Sequence, residues 1–155
     1  KTQCDDAASG FAMTADGKYI FCSTAGENAV SMFKIDEESG MLEKRFVLPI
    51  SGDYPKDLAI FPDGRHIAVA NHASNSITMF TVDYEKDILV MHGRPLKVET
   101  PNCISIIRYR RNKWERRISK EGILLFLLWK AFSEKCSVLV CKEKVKIAGE
   151  GGGKN

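Results

Sequence analysis

The sequence lacks a long hydrophobic run. Its longest apolar stretch is the seven residues Ile123–Trp129, far short of the roughly 20 that a transmembrane helix needs. The opening Lys1-Thr-Gln-Cys-Asp-Asp6 leads into nothing apolar, so no secretory signal is read there. Histidines number three, and His66 and His92 have no partners at metal-ligand spacing, so a zinc site is not expected. The five cysteines, Cys4, Cys22, Cys103, Cys136 and Cys141, are odd in number and contain no CxxC pair. They read as thiols in a reducing compartment, which points to a cytoplasmic protein. A phosphate loop is missing too. In the closing Gly-rich stretch, Ala148 stands where the first Gly would be and Asn155 where Ser or Thr would be.

What is present is a repeat. Residues 55–83, PKDLAIFPDGRHIAVANHASNSITMFTVD, alternate short β-rich runs with turns rich in Gly, Pro, Asn and Asp. Sliding the chain on itself by 47 residues sets SGFAMTADGKYIFCSTAGENAVSMFKID at 9–36 on KDLAIFPDGRHIAVANHASNSITMFTVD at 56–83. Asp16-Gly17 then meets Asp63-Gly64, Asn28 meets Asn75, and Met32-Phe33 meets Met79-Phe80. A self-match with turn residues in phase marks a repeat array. Four short strands in about 40–50 residues suit one blade of a β-propeller.

Each unit resolves into strands. In the first, 11–15, 19–23, 29–35 and 42–48 are the predicted strands, the last charged at Glu43, Lys44 and Arg45 as an edge should be. The second unit repeats the order, with 88–98 as its fourth strand. Residues 101–107 read as the first strand of a third unit. Charge then changes sign. Residues 1–107 hold 10 Lys/Arg against 15 Asp/Glu, whereas 108–155 hold 13 against 5. The chain therefore divides into two blades over 1–110 (repeats about 9–55 and 56–107) and a basic tail over 111–155, unrelated to the repeat. A basic amphipathic helix over roughly 114–132 is one form for that tail, and a poorly packed, disordered segment is the other. The basic run 108–117 has few interleaved aromatics, so no nucleic-acid partner is expected.

The phrase YPKDLAIFPDGRHIAVANHASNSITMFTVD, followed by VETPNCI, resembles the lactonase family of seven-bladed β-propellers, the 6-phosphogluconolactonase-like proteins of bacteria. DGKYIFCSTAG is similar to the segment before the third strand of their preceding blade. The resemblance covers about residues 9–107 and implies the last two blades of a longer all-β protein. It implies hydrolysis of 6-phosphogluconolactone to 6-phosphogluconate in the pentose phosphate pathway, without a metal or organic cofactor. The partner implied is a small-molecule sugar lactone. No membrane partner is implied, and two isolated blades are expected to self-associate through their open edges.

Lactone hydrolysis needs a base for water, donors for the developing oxyanion, and a cation for the substrate phosphate. The loop before the first strand of a blade and the loop between its second and third strands lie at one end of that blade. Lys56 and Asp57 fall in the former. Asn71, His72 and Ser74 fall in the latter. Lys56, Asp57, Asn71 and His72 are the substrate-binding candidates, and no catalytic residue is singled out. Two positions depart from the family's pattern. Its Pro-Arg step reads Pro55-Lys56 here, and its Asn-Arg-Gly step reads Thr24-Ala25-Gly26, which removes a cation. The alternatives are a non-enzymatic binding or scaffolding propeller fragment, and a truncated reading frame without a function.

Overall fold

The computed structural model describes residues 7–108, 123–126 and 136–142, with side chains through residue 106. Three antiparallel sheets are present, and no helix occurs among the described residues. The first blade is β1 (Ala8–Met13), β2 (Tyr19–Thr24), β3 (Ala29–Ile35) and β4 (Leu42–Pro49), in that spatial order. The second is β5 (Pro55–Ile60), β6 (His66–Asn71), β7 (Ser76–Asp83) and β8 (Ile88–Met91), with β9 (Leu96–Lys97) also on β7.

Local chemistry explains the turns. Asp16 Oδ1 accepts from Thr14 Oγ1 at 2.6 Å and Lys18 N at 3.1 Å. Asp63 Oδ1 accepts from Arg65 N at 2.9 Å and His66 N at 3.1 Å. In each turn the following glycine takes a positive φ, 72° at Gly17 and 67° at Gly64, which an L side chain resists. Thr14 serves this turn, so β1 ends at Met13 rather than at residue 15. The fourth strand expected over 88–98 is split in two. Gly93 sits at φ 71° between the halves, and Pro95 has no N–H for a ladder.

The middle strands are buried on both faces, and their alternation sorts side chains into two cores. On β6 and β7, Ile67, Val69, Phe80 and Val82 join Leu58 against Phe21, Val30, Met32 and Phe46 of the first blade. The opposite face of the same strands sends Ala68, Ala70, Ile77 and Met79 against Ile104 of β10 (Pro101–Arg108). Blade packs on blade as the repeat requires. At the outer edge, Arg45 on β4 grips Asp87 with Nη2 at 2.7 Å and Nε at 3.3 Å.

β1, β5 and β10 share one irregularity. Each slips register after its first residue, at Ala8/Gly10, Pro55/Asp57 and Pro101/Cys103. A bulge of this kind twists the strand and breaks its ladder for one step. The third sheet is completed from the far end of the chain. β12 (Cys136–Lys142) pairs with β10, and β11 (Ile123–Phe126) pairs with β12. Ile123–Phe126 is thus a strand within the range where a helix was one expectation. A short apolar run is ambiguous by periodicity, and here its ladder with β12 decides. The rest of 114–132 lies outside the described residues.

Candidate functional site

The rim at the start of β5 is built by two asparagines that recur one unit apart. Asn28 and Asn75 end the β2–β3 and β6–β7 turns with φ of 53° and 50°, a left-handed conformation that asparagine tolerates better than most residues. Asn28 O accepts from Ile50 N at 2.9 Å and its Oδ1 from Tyr54 N at 2.7 Å. Asn75 O accepts from Val98 N at 3.0 Å and its Oδ1 from Thr100 N at 2.8 Å. Each asparagine therefore clasps the chain as it crosses to the following inner strand. The clasped residues, Tyr54 and Thr100, also take positive φ.

The clasp presents Tyr54 beside two sequence candidates. The Lys56 ammonium lies 6.0 Å from the centre of the Tyr54 ring. The His72 ring stands edge-on to Tyr54 at 6.2 Å between centroids. His72 N donates to Tyr54 O at 2.9 Å, and His72 Nδ1 is 3.3 Å from Pro101 O. Lys56, Tyr54 and His72 thus form one partly exposed row. The aromatic member was missed from sequence, although the segment Gly52-Asp-Tyr-Pro-Lys56 held a weak cue.

Asp57 is half-buried beside this row. Its Oδ1 accepts from Leu58 N and its Oδ2 from Ile104 N, both at 2.9 Å. Burial raises its pKa above the usual aspartate value, against the lowering effect of those two amides. Asp57 consequently ties β5 to β10. Close by, a Cβ on Gly10 would stand 2.8 Å from the Asp57 Cα, so β1 and β5 approach only because residue 10 is glycine. Ser9 Oγ donates across the same gap to Pro55 O.

Asn71 departs from expectation. It ends β6 and is 0% exposed. Its amide lies under Gly52, donating to Thr78 Oγ1 at 2.8 Å and Ser76 Oγ at 3.3 Å. A side chain so covered cannot reach a ligand on the rim. Its Oδ1 has no partner among the described residues. Ser74 Oγ lies 3.0 Å from Asp53 N, which donates to it and fastens the crossing loop. Ala25, the counterpart of His72, is buried.

At the opposite end, a cleft of about 460 Å³ separates the two Asp-Gly turns, lined in part by Tyr19, Arg65 and Tyr84. Tyr19 and Tyr84 stack at 4.5 Å, and burial pushes the Tyr84 hydroxyl up to about 12. His66, which looked partnerless in sequence, meets Asp63 Oδ2 at 2.5 Å through Nδ1. Burial pushes the Asp63 carboxyl up, but the Arg65 amide and the His66 ring and amide outweigh it, and the net pKa is lowered. Among the described residues, no group of three His, Cys, Asp or Glu is placed to hold a metal ion, and no helix is long and apolar enough to cross a membrane.

Known proteins place this architecture. The model of the family described as lactonase, 7-bladed beta-propeller, matches residues 2–106. The chain belongs to that family. No curated protein matches it. Among solved lactonase-like structures, a candidate 6-phosphogluconolactonase from Bacteroides fragilis is 30% identical with a TM-score of 0.58, over 62% of this chain and 27% of that one. A second candidate, from Bacteroides uniformis, is 26% identical with a TM-score of 0.58, over 62% of this chain and 28% of that one. The periplasmic gluconolactonase of Pseudomonas aeruginosa is 25% identical with a TM-score of 0.57, over 61% and 26%. This lactonase-family chain therefore spans about a quarter of the length of the solved relatives it matches.

Proposed function

We propose that these two blades supply one arc of the substrate rim of a 6-phosphogluconolactonase-like lactone hydrolase. The row Lys56–Tyr54–His72 carries this reading, at 6.0 and 6.2 Å from the tyrosine ring. A sugar-phosphate lactone offers a phosphate, hydroxyls and an apolar ring face. A lysine, an imidazole and an exposed aromatic ring answer those three features. Lys56 takes the phosphate as a point charge, and His72 hydrogen-bonds the lactone oxygens. Asp57 positions the row by holding β5 to β10. The base that deprotonates water is assigned to none of these residues. One arc cannot enclose a substrate, so the site is complete only with further blades. A cytoplasmic location and a place in the pentose phosphate pathway belong to the same reading.

The test is hydrolysis of 6-phosphogluconolactone. The isolated chain should show none above background. In a chimera that seats residues 7–108 as the last two blades of a solved relative, activity should return. There Lys56→Ala should lower kcat/KM by roughly 5- to 150-fold, the equivalent of about 1–3 kcal/mol for a lost charge-assisted bond. Lys56→Arg should match or exceed the parent, because it restores a two-pronged donor. A Lys56→Ala chimera equal to the parent overturns the assignment.

One observation favours a second reading, a propeller fragment that binds without chemistry. The first blade's rim has buried Thr24 and Ala25 where the second has Asn71 and His72, so it offers no cation there. Titration with 6-phosphogluconate separates the readings, since a chimera that binds it but turns over no lactone fits only the second.

A further inference from the structure

β10 and β12 set two cysteines face to face. The register makes Cys103 the direct partner of Cys141. Residues so opposed in an antiparallel pair have Cα atoms about 4.5 or 5.5 Å apart, and both values fall within the roughly 4.4–6.8 Å that disulfides span. Position 103 is exposed, whereas its neighbour Ile104 is buried against the second blade. Alternation therefore puts position 103, and with it position 141, on the face turned away from that blade. Of the remaining cysteines, Cys22 is buried on β2 and Cys136 stands opposite Arg108.

We propose that Cys103 and Cys141 form a cross-strand disulfide, a redox modification site that bolts β12 to the inner strand of the third sheet. The oxidant is a low-molecular-weight disulfide, RSSR. The thiolate of one cysteine attacks RSSR, which breaks that S–S bond, forms a mixed disulfide and releases RS⁻. The second thiolate then attacks the protein sulfur of the mixed disulfide and expels another RS⁻. Two protein thiols give up two electrons and two protons, and RSSR leaves as two RSH. The bond closes the segment between the two strands into a covalent loop, so β10 keeps its partner after the hydrogen-bond ladder is broken. Under reducing conditions the ladder alone holds β12, and the β10 edge is open to exchange with another strand.

The experiment uses the full chain, reduced and then incubated with glutathione disulfide. Remaining thiols are alkylated and the protein is digested with trypsin without reductant. Cleavage after Lys97, Arg108, Lys135 and Lys142 gives the peptides 98–108 and 136–142. These two should appear as one linked species that separates on reduction, while the titratable thiols fall by two from five. Because 136–142 carries both Cys136 and Cys141, the link is assigned by fragmentation and by Cys136→Ser, which should retain it. Cys103→Ser and Cys141→Ser should each lose it. Mapping of the unmutated chain stands even if a variant fails to fold. A link through Cys136, or only mixed disulfides with glutathione, overturns the proposal.

Discussion

Leu58 and Phe11 occupy the same place in consecutive units, yet Leu58 is 3% exposed and Phe11 78%. Ile60 packs against the inter-blade core, while its counterpart Met13 is 57% exposed. The inner strands, the Asp-Gly turns that follow them and their bulges are the same in both units. What differs is the neighbour, because the first blade covers this face of the second, whereas among the described residues nothing covers the same face of the first. The repeat thus specifies each blade's sheet from within and leaves its burial to the next unit, as stacked repeats do.

The most forceful way to break this comparison is to truncate both members. Leu58→Ala should destabilise the chain by about 2–5 kcal/mol, the range for emptying a buried leucine site. Phe11→Ala should change stability by less than about 0.5 kcal/mol, as surface substitutions do, and reduce self-association. Urea denaturation with sedimentation of both variants decides, and equal losses would mean that the first blade's face is covered. Next in size, Gly10→Ala should cost about 1–3 kcal/mol, since the new methyl meets not only the Asp57 carboxylate but also the Asp57 Cα, which cannot swing away. The matching change at the open turn, Gly17, meets no atom within 4 Å, so its cost comes from φ alone. Asn75→Ala should cost about 1–2 kcal/mol from a lost bond and a strained φ. Asn28→Ala should match it if the two clasps are equivalent, and melting of the two variants side by side reports the answer.

The smallest expected effect is one of sign. Asp57 has a raised pKa, so its contribution is fully present below the ordinary aspartate value of 3.8 and is lost as pH rises through the raised value. Asp63 has a lowered pKa, so its contribution is present above 3.8 and is lost as pH falls through the lowered value. Between pH 7 and pH 3, the stability difference from parent should therefore move in opposite directions for Asp57→Asn and Asp63→Asn. Parallel trends in urea titrations at the two pH values would remove the distinction.

The unit, its four strands and its Asp-Gly turns were legible in the sequence because they depend on neighbours along the chain. β3 agrees residue for residue with expectation, since an apolar run through Met32-Phe33 between an Asn turn and an Asp turn has one reading. Tyr54 was not legible. Its place depends on a bond from its amide to Asn28, 26 positions away, and no local pattern announces such a bond. Asn71 looked like a loop residue because it precedes a polar turn, and only the approach of Gly52 shows that it is covered. The split of the outer strand is marked in the sequence by Gly93 and Pro95, a positive φ and a missing N–H that together interrupt the ladder. The pairing of β12 with β10 was beyond reach, because a ladder closed over such a separation leaves no periodic trace.

The asparagine clasp has a consequence for grafting. Asn28 and Asn75 hold the chain that enters the following unit, not the strands of their own sheet. The mechanical module is therefore out of phase with the visible blade. A segment excised from one crossing loop to the next carries an asparagine whose client stays behind, and it receives a crossing whose asparagine is foreign. A segment cut at the β2–β3 turn and ended at the β6–β7 turn carries its asparagine and that asparagine's client together. Transplants between propellers should be spliced at those turns, where each module arrives with its own latch already matched.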